Sequence, residues 1–289
     1  WHVSGLMSRV RCAATGGRYV EWQWKILEAG EWPELTGEEV ISLVPTQLQR
    51  LLKNPQTVAW LQRLKLILIG GGPAWSALSE AARAAKLPLI FSYGMTETAA
   101  MVAAQTPEEF LAGDASSGKA MPHAQIEICD EETGVVLPNE GRGTVRVSGD
   151  SVMRGYLGDS ELNGGYVAAD SGRLDASGHL HISGRRDDVV ITGGEKVNTH
   201  EIESVLRATG VFAEIAVIGI PHNEWGEELV ACYSGEVKAD FEQVISSHLL
   251  RYQRPKSYLQ IVETDWPRNA QGKVNREELR RLALSHPDR

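Results

Sequence analysis

Between Leu64 and Ile69 the chain reads Leu-Lys-Leu-Ile-Leu-Ile, breaks into Gly70-Gly71-Gly72-Pro73, and continues from Ser76 to Lys86 in alanine-rich helix formers. Strand, glycine turn and helix in that order are the repeating unit of a parallel α/β sheet. The order begins again at Leu87 to Ser92, which runs into Tyr93-Gly94-Met95-Thr96-Glu97-Thr98. Ligands of such sheets sit beyond the carboxyl ends of the strands. Both glycine-containing turns therefore fall where a nucleotide could bind.

The texture changes twice further on. From about Met121 to Ser183 short β-type runs (Gln125 to Cys129, Thr144 to Ser148, His179 to Ile182) alternate with Gly, Asp, Asn and Pro, as in a small β-barrel or antiparallel sheet. After Gly184-Arg185-Arg186-Asp187-Asp188 a helix is expected over Asn198 to Thr209, with Asn198 and Glu201 spaced as a capping box. Strands at Val211 to Ile220, Leu229 to Tyr233 and Tyr258 to Val262, helical spacing from Phe241 to Leu249, and a polar helix from Asn275 complete an α+β pattern. His248 reads as a helix-face histidine. The boundary falls near Asp187, giving an N-terminal part over 1–186 (α/β to about 120, β-rich from 121) and a C-terminal domain over 187–289.

Charge narrows the function. Twenty-nine Lys and Arg against 38 Asp and Glu give a formal net charge of −9, without the clustered cations that a nucleic-acid or anionic-membrane surface needs. No apolar run approaches the roughly 20 residues of a membrane span. Cys12, Cys129 and Cys232 lie far apart and match no metal-ligand spacing, so they read as reduced residues of a cytoplasmic protein. The eight histidines are scattered and make no protein metal cage. Trp1 to Leu6 reads like the middle of a domain, so a truncated chain is expected.

Four segments carry chemistry, each with a plainer alternative. Tyr93 to Glu97 puts a ring, a hydroxyl and a carboxylate in one turn, able to stack on adenine, bond a phosphate oxygen and hold Mg²⁺; a capped turn after a strand is the alternative. Gly141 to Gly149, Gly155-Tyr156-Leu157, Ala168-Ala169-Asp170 and Gly184-Arg185 offer a carboxylate for ribose hydroxyls and a guanidinium to bridge ribose and phosphate; hairpin turns and surface ion pairs are commoner. Gly193-Gly194-Glu195-Lys196 allows close backbone approach by a ligand, or a simple hairpin. Pro267 to Val274 carries Lys273 on a loop, where an ammonium could stabilise charge developing on oxygen; a solvated lysine is the default.

Two look-alikes fail on chemistry. Gly113-x-x-x-x-Gly118-Lys119 has Ala120 where a phosphate-binding loop needs a Mg²⁺-ligating hydroxyl, and it follows a polar stretch. Ser116-x-x-Lys119 lacks the companion motifs of a serine acyl-enzyme, and no G-x-S-x-G occurs.

Taken in order, Tyr93 to Glu97, Gly149 to Leu157, Asp170, Gly184 to Asp188, Gly193 to Lys196, Glu201-Ile202-Glu203 and Gly272-Lys273 resemble the adenylate-forming acyl-CoA synthetase superfamily over nearly the whole chain. Within it, His2 to Leu6, Ser42 to Leu48, Ser92 to Ala99 and Gly118-Lys119 look most like the o-succinylbenzoate–CoA ligases of menaquinone and phylloquinone synthesis. A ligase for another aryl or short-chain, malonate-like acid is the alternative, because Pro267 to Ala270 also resembles such relatives.

The resemblance implies that a carboxylic acid attacks the α-phosphate of ATP, pyrophosphate leaves, and the thiol of coenzyme A then takes the acyl group. Tyr93, Gly94 and the backbone of Gly70, Gly71 and Gly72 would meet the adenine end. Thr96 would hold the α-phosphate, Glu97 the Mg²⁺, and Asp170 and Arg185 the ribose. Lys273 would serve the first step only. Asp187 would be the hinge of a mobile C-terminal domain that brings Gly193 and Gly194 to the pantetheine path, and His2, Ser4 and Ser117 would face the acid.

The departures are specific. The family's Ser/Thr/Gly-rich phosphate loop lies before the His2 segment and is missing, Ala168-Ala169-Asp170 replaces a T-G-D triplet, and Asn269 stands where Thr is usual. A nucleotide- or CoA-binding fragment without turnover is the reading from another class.

Overall fold

A computed structural model describes residues 3–72, 74–237, 241–269 and 273–286, with the side chains of Asp187 and Ser246 left aside. The chain divides into two compact units, Trp1–Ser183 and Gly184–Arg289.

The first unit runs α1 (Val3–Thr15), α2 (Trp24–Glu28), β1 (Val40–Leu43), α3 (Pro45–Leu52), α4 (Pro55–Leu61), β2 (Leu66–Ile69), α5 (Ser76–Ala84), β3 (Leu89–Met95), β4 (Ala100–Ala104), α6 (Pro107–Leu111) and β5 (Lys119–Ala120). These are followed by β6 (Ala124–Cys129), β7 (Gly143–Gly149), β8 (Tyr166–Leu174) and β9 (Leu180–Arg185). Strands β1 to β5 form one sheet in that order. The expected strand–glycine–helix unit is there at β2, the Gly70 turn and α5, with β1, β2 and β3 parallel, but after β3 a 3₁₀ turn stands in place of a helix, and β4 and β5 turn back antiparallel. The sheet is mixed because β3 and β4 are joined by a turn of four residues, far too short for a crossover.

Ile67 and Leu89 on adjacent strands are fully buried, together with Leu48 and Leu61 from the covering helices. Each such side chain contributes on the order of 1.5–3 kcal/mol. The β-rich stretch is an open antiparallel sheet ordered β6-β7-β8-β9, not a closed barrel. Val102 and Ala103 of β4 pack with Ile126, Val145 and Val147, so one core joins the two sheets of this unit.

The second unit holds β10 (Val189–Thr192), β11 (Glu195–Asn198), α7 (Thr199–Ala208), β12 (Glu214–His222), β13 (Gly226–Ser234), α8 (Phe241–Ser246), β14 (Ser257–Gln260) and α9 (Arg276–Ser285). Strand β12 is buried on both faces, and its period of two sorts the residues. Ile215 and Val217 join the core that holds Ile202 and Leu206 of α7, while Ala216, Ile218 and Ile220 join the one that holds Leu279 of α9. Asn198 caps α7 by accepting from the N–H of His200 at 2.9 Å, so the expected pairing with Glu201 is replaced by a shorter Asx cap. Asn275 caps α9 through the N–H of Glu278. His248, expected on a helix face, lies in the turn that follows α8, with its Nδ1 2.9 Å from the Val244 carbonyl. Burial pushes the Cys232 thiol up to about 12, which makes it inert.

Glycines of the first unit differ in what they tolerate. A Cβ on Gly94 would stand 1.9 Å from the Ala100 carbonyl, whereas one on Gly72 meets nothing within 4 Å. Gly94→Ala should therefore destabilise by at least about 1–3 kcal/mol, the scale of a forced backbone shift. Gly72→Ala should stay within about 0.5 kcal/mol of the parent in urea unfolding. Equal effects would contradict the close approach at Gly94.

Candidate active site

Strand β3 carries its residues further than the sequence implied. Tyr93, Gly94 and Met95 belong to the strand, and only Thr96–Thr98 form the turn, a single 3₁₀ turn. The strand shifts register against β4 between Tyr93 and Gly94. That bulge re-aims the side chains beyond it.

Thr98 fixes the turn, for its hydroxyl accepts from the N–H of Met95 at 3.0 Å and lies 2.8 Å from the Ala100 carbonyl. The chain then passes through positive φ at two residues that are not glycine, Ala99 at 50° and Ala100 at 82°. Such conformations persist only where neighbours over-determine them, and they gather at functional sites.

Two pairs of distant residues meet around this strand end. The Tyr93 hydroxyl donates to Asp170 Oδ2 of β8 at 2.8 Å, across 77 positions of sequence. One turn on, the Tyr156 hydroxyl donates to Glu97 Oε1 at 2.9 Å, and the N–H of Met153 donates to the Glu97 carbonyl at 2.8 Å. Hydrogen bonds to Tyr166 and then to Glu97 hold the Tyr156 phenol above its ordinary range, so it stays a donor. Thr96 is exposed. Tyr156 and Met153 are contacts that sequence reading missed; Gly155-Tyr156-Leu157 was visible as a motif, but nothing in it pointed to Glu97.

The glycine turn after β2 lies beside β3. A Cβ on Gly70 would come within 2.8 Å of the Ser92 hydroxyl, which itself donates to the Ile69 carbonyl at 3.1 Å. Gly71 has φ of 77°. Gly70 is thus required by crowding and Gly71 by conformation, and Gly72 by neither.

The residues expected to meet the acid are less closely gathered. Ser4 is exposed in the first turn of α1, where its carbonyl accepts from Ser8, and no residue of that helix is buried. Ser117 is half-buried, with its N–H donating to the Leu180 carbonyl of β9 at 2.7 Å. His2 lies outside the described residues. The Gly113 to Lys119 look-alike is no phosphate loop: Asp114 accepts from the Ser116 hydroxyl at 2.6 Å, and a Cβ on Gly118 would collide with Ala104.

Among the described residues, one cluster of three, Glu109, Asp114 and His179, has metal-like spacing. Its acceptors already serve the chain, since Glu109 caps α6 through Thr106, pairs with His179 at 3.0 Å, and Asp114 is held by Ser116 and Gln105. Glu97 is the better magnesium donor by chemistry. It offers hard carboxylate oxygens, and its Oε2 takes no hydrogen bond from a described residue.

In the second unit, Arg185 ends β9, and Gly193 and Gly194 turn the β10–β11 hairpin with φ of 57° and 85°. Both have open space where a Cβ would stand. The glycines serve the hairpin's backbone twist, and the N–H of Gly193 donates to the Trp225 carbonyl at 3.0 Å. Asp187 lies in the 3₁₀ turn over 186–188, and its side chain is outside the described set. Lys273 is exposed, next to Val274, which pairs with Arg268. Asn269, the departure from Thr, holds that pairing: its side-chain carbonyl accepts from the N–H of Lys273 at 3.0 Å, and its own N–H donates to the Lys273 carbonyl at 2.8 Å.

No described helix is long and apolar enough to cross a membrane. The chain is 32% identical to the 2-succinylbenzoate–CoA ligase of Listeria monocytogenes over 290 residues, 97% of this chain and 59% of the relative. It is 32% identical to the Oceanobacillus iheyensis ligase of the same name over 96% of this chain and 59% of the relative. The chain therefore spans 59% of the length of these curated relatives.

Among solved structures, the o-succinylbenzoate CoA synthetase of Bacillus subtilis in complex with its acyl-adenylate intermediate matches with a TM-score of 0.79. The identity is 30%, over 96% of this chain and 58% of that one. ATP-bound MatB from Rhodopseudomonas palustris matches with a TM-score of 0.74 and 28% identity, over 92% of this chain and 55% of that one. The model of the AMP-binding enzyme family matches residues 1–157 and that of the AMP-binding enzyme C-terminal domain residues 201–273. The ring, carboxylates and glycine turn gathered around β3 thus lie in a chain that belongs to the AMP-binding enzyme family.

Proposed function

We propose that this chain is the greater part of an AMP-forming acid–CoA ligase that activates a carboxylic acid with ATP and transfers the acyl group to coenzyme A, with o-succinylbenzoate as the acid. The observation that carries the reading is the meeting of Tyr93 with Asp170 at the end of the same strand that delivers Thr96 and Glu97. An aromatic face and a ribose-binding carboxylate held together by one hydrogen bond suit a nucleoside. A hydroxyl and a carboxylate one turn further suit its phosphates and their cation. The names of the relatives and of the solved ligases support the acid and the thiol.

In this reading Tyr93 stacks on adenine, Gly94 and the Gly70 to Gly72 backbone border it, and Asp170 and Arg185 take the ribose. Thr96 donates to the α-phosphate. Glu97 would hold Mg²⁺, which when bound neutralises phosphate charge. Lys273 donates to the carboxylate and α-phosphate oxygens as the acid attacks and pyrophosphate departs. Asp187 is then the hinge that separates the adenylating and thiol-transfer conformations, with Gly193 and Gly194 lining the thiol's approach. His2, Ser4 and Ser117 remain the proposed contacts of the acid. The enzyme would act in the cytoplasm.

In the protein extended to its relatives' length, Lys273→Ala should slow adenylate formation by roughly 10²–10³-fold, the scale of losing one preorganised donor. Thioester formation from supplied acyl-adenylate should be nearly unaffected, and equal losses in both half-reactions would contradict the assignment. Asp170→Asn should raise the ATP KM more than Tyr93→Phe, since the phenylalanine keeps the stacking face and loses only the hydroxyl. The reverse order would remove Asp170 from the ribose.

Pyrophosphate release, screened with o-succinylbenzoate, malonate, benzoates and fatty acids, tests the acid. A pocket built to hydrogen-bond a substrate group rejects analogues that lack it by about 10⁴–10⁵-fold. Comparable kcat/KM for benzoate or a medium-chain fatty acid would leave the ligase reading without its substrate. Nucleotide binding with no pyrophosphate from any acid would favour a binding fragment.

A further inference from the structure

Arg276 opens α9 three residues after Lys273, and its guanidinium reaches in three directions. One terminal nitrogen donates to Glu203 Oε1 at 2.7 Å, the other to the Val217 carbonyl at 2.7 Å, and Nε lies 3.4 Å from Asp188 Oδ1. Glu203 is on α7, Val217 on β12, and Asp188 closes the 3₁₀ turn over 186–188. The side chains of Asp188 and Glu203 are only 9% and 6% exposed, so these bonds cannot be exchanged for water without cost. His200 fills the middle, with Nε2 2.8 Å from Asp188 Oδ2 and Nδ1 3.2 Å from Arg276 and 3.4 Å from Glu203.

The segment that pairs with Lys273 and Val274 is anchored in the same layer. Arg268 is ion-paired with Glu214 at the start of β12. Lys273 itself is held by Asn269, and the N–H of Asn275 donates to the Pro267 carbonyl at 3.0 Å. A planar fork with five N–H donors can satisfy three separated oxygens at once, and an ammonium cannot do so in this geometry.

We propose that Arg276 is a positioning residue that makes the turn over 186–188 and the paired segments at 267–269 and 273–275, Lys273 among them, one mechanical body. A change in the turn is then delivered to the lysine through Arg276. Under the proposed function this links hinge and catalytic lysine; the linkage itself requires only the buried contacts. The plainer alternative is an ion network that stabilises the unit as a whole.

Protonation of His200 provides a readout that a purely stabilising network would not give. The charged groups facing it are Asp188 from the turn, Glu203 and Arg207 from α7, and Arg276 from α9, with Arg185 acting on Asp188 and the Cys232 thiol beside Glu203 and Arg276. Burial disfavours the imidazolium, but hydrogen bonds to Asp188 and Glu203 outweigh it and hold His200 above its ordinary 6.5. A raised folded-state value means that its stabilisation is full below 6.5 and is lost as pH rises through the folded-state value.

Backbone hydrogen exchange on the intact chain, corrected for intrinsic rates, tests the proposal without any substrate. In Arg276→Lys the amides of Val189, Lys273 and Asn275 should exchange faster together, by about 10–100-fold, the scale of one lost charge-assisted hydrogen bond. Those of Ile218 and Ala231 in the sheet should keep their protection. In the parent chain the turn and the paired segments should lose protection with one shared midpoint above pH 6.5, and His200→Gln should flatten both curves. Loosening of only one segment, or separate midpoints in the parent chain, would overturn the proposal whether or not the ligase reading stands. If the arginine variant unfolds globally, the titration of the parent chain still decides.

Discussion

Much of the first unit follows from the reversal at the end of β3. Two parallel strands feed a third that must turn back within four residues to pair with β4. Gly94 is then forced, because the returning Ala100 carbonyl occupies the place of a side chain. Ala99 and Ala100 are driven to positive φ, at about 1–2 kcal/mol for each L-residue in the left-handed region. Thr98 and the Met153 N–H offset part of that cost by bonding the turn from both sides. Those bonds hold the turn that carries Thr96 and Glu97 at the strand end.

The second unit solves a different problem. Its strand β12 is buried on both faces yet ends the sheet order β11-β10-β13-β12, so the backbone groups on its unpaired edge cannot rely on water. Glu203 accepts from the Val217 N–H at 2.7 Å, Arg207 donates to the Ile215 carbonyl at 2.6 Å, and Arg276 donates to both the Val217 carbonyl and Glu203. Burial raises the cost of every one of these charges, and Arg276 and His200 reverse it for Glu203, whose carboxyl is held well below the usual carboxylate range. Each charge is there because the others are. Such a set is strongly destabilised by removing one member, though it adds little net stability over an apolar core.

Local order was legible in the sequence, and long-range pairing was not. The strand and helix around Gly70, the N-cap at Asn198, the helix from Asn275 and the hairpin at Gly193-Gly194 follow from short-range rules of periodicity, capping and glycine conformation. The antiparallel return of β4 was missed because Ala99-Ala100 has no turn signature: the bend is imposed by packing against local preference. Tyr156 with Glu97 and Tyr93 with Asp170 join residues 59 and 77 positions apart, which no pattern within one segment encodes. The importance of Arg276 was hidden for a related reason. In sequence it is one of several arginines on a polar helix, and only the fold gives it three acceptors.

Glu97 and Glu203 show why a family motif needs geometry before it becomes chemistry. Both are glutamates within ordered motifs, and both sit beside a histidine, tyrosine or arginine partner in the fold. Glu203 is buried, with Oε1 bonded by Arg276 and the Val217 N–H and Oε2 facing His200 and Arg207. It has no capacity left for a ligand. Glu97 is half-buried, with a single phenol on Oε1, and its Oε2 takes no hydrogen bond from a described residue. Saturation makes one carboxylate structural and leaves the other with acceptor capacity: the same functional group is committed or available according to how many of its lone pairs the chain has already taken.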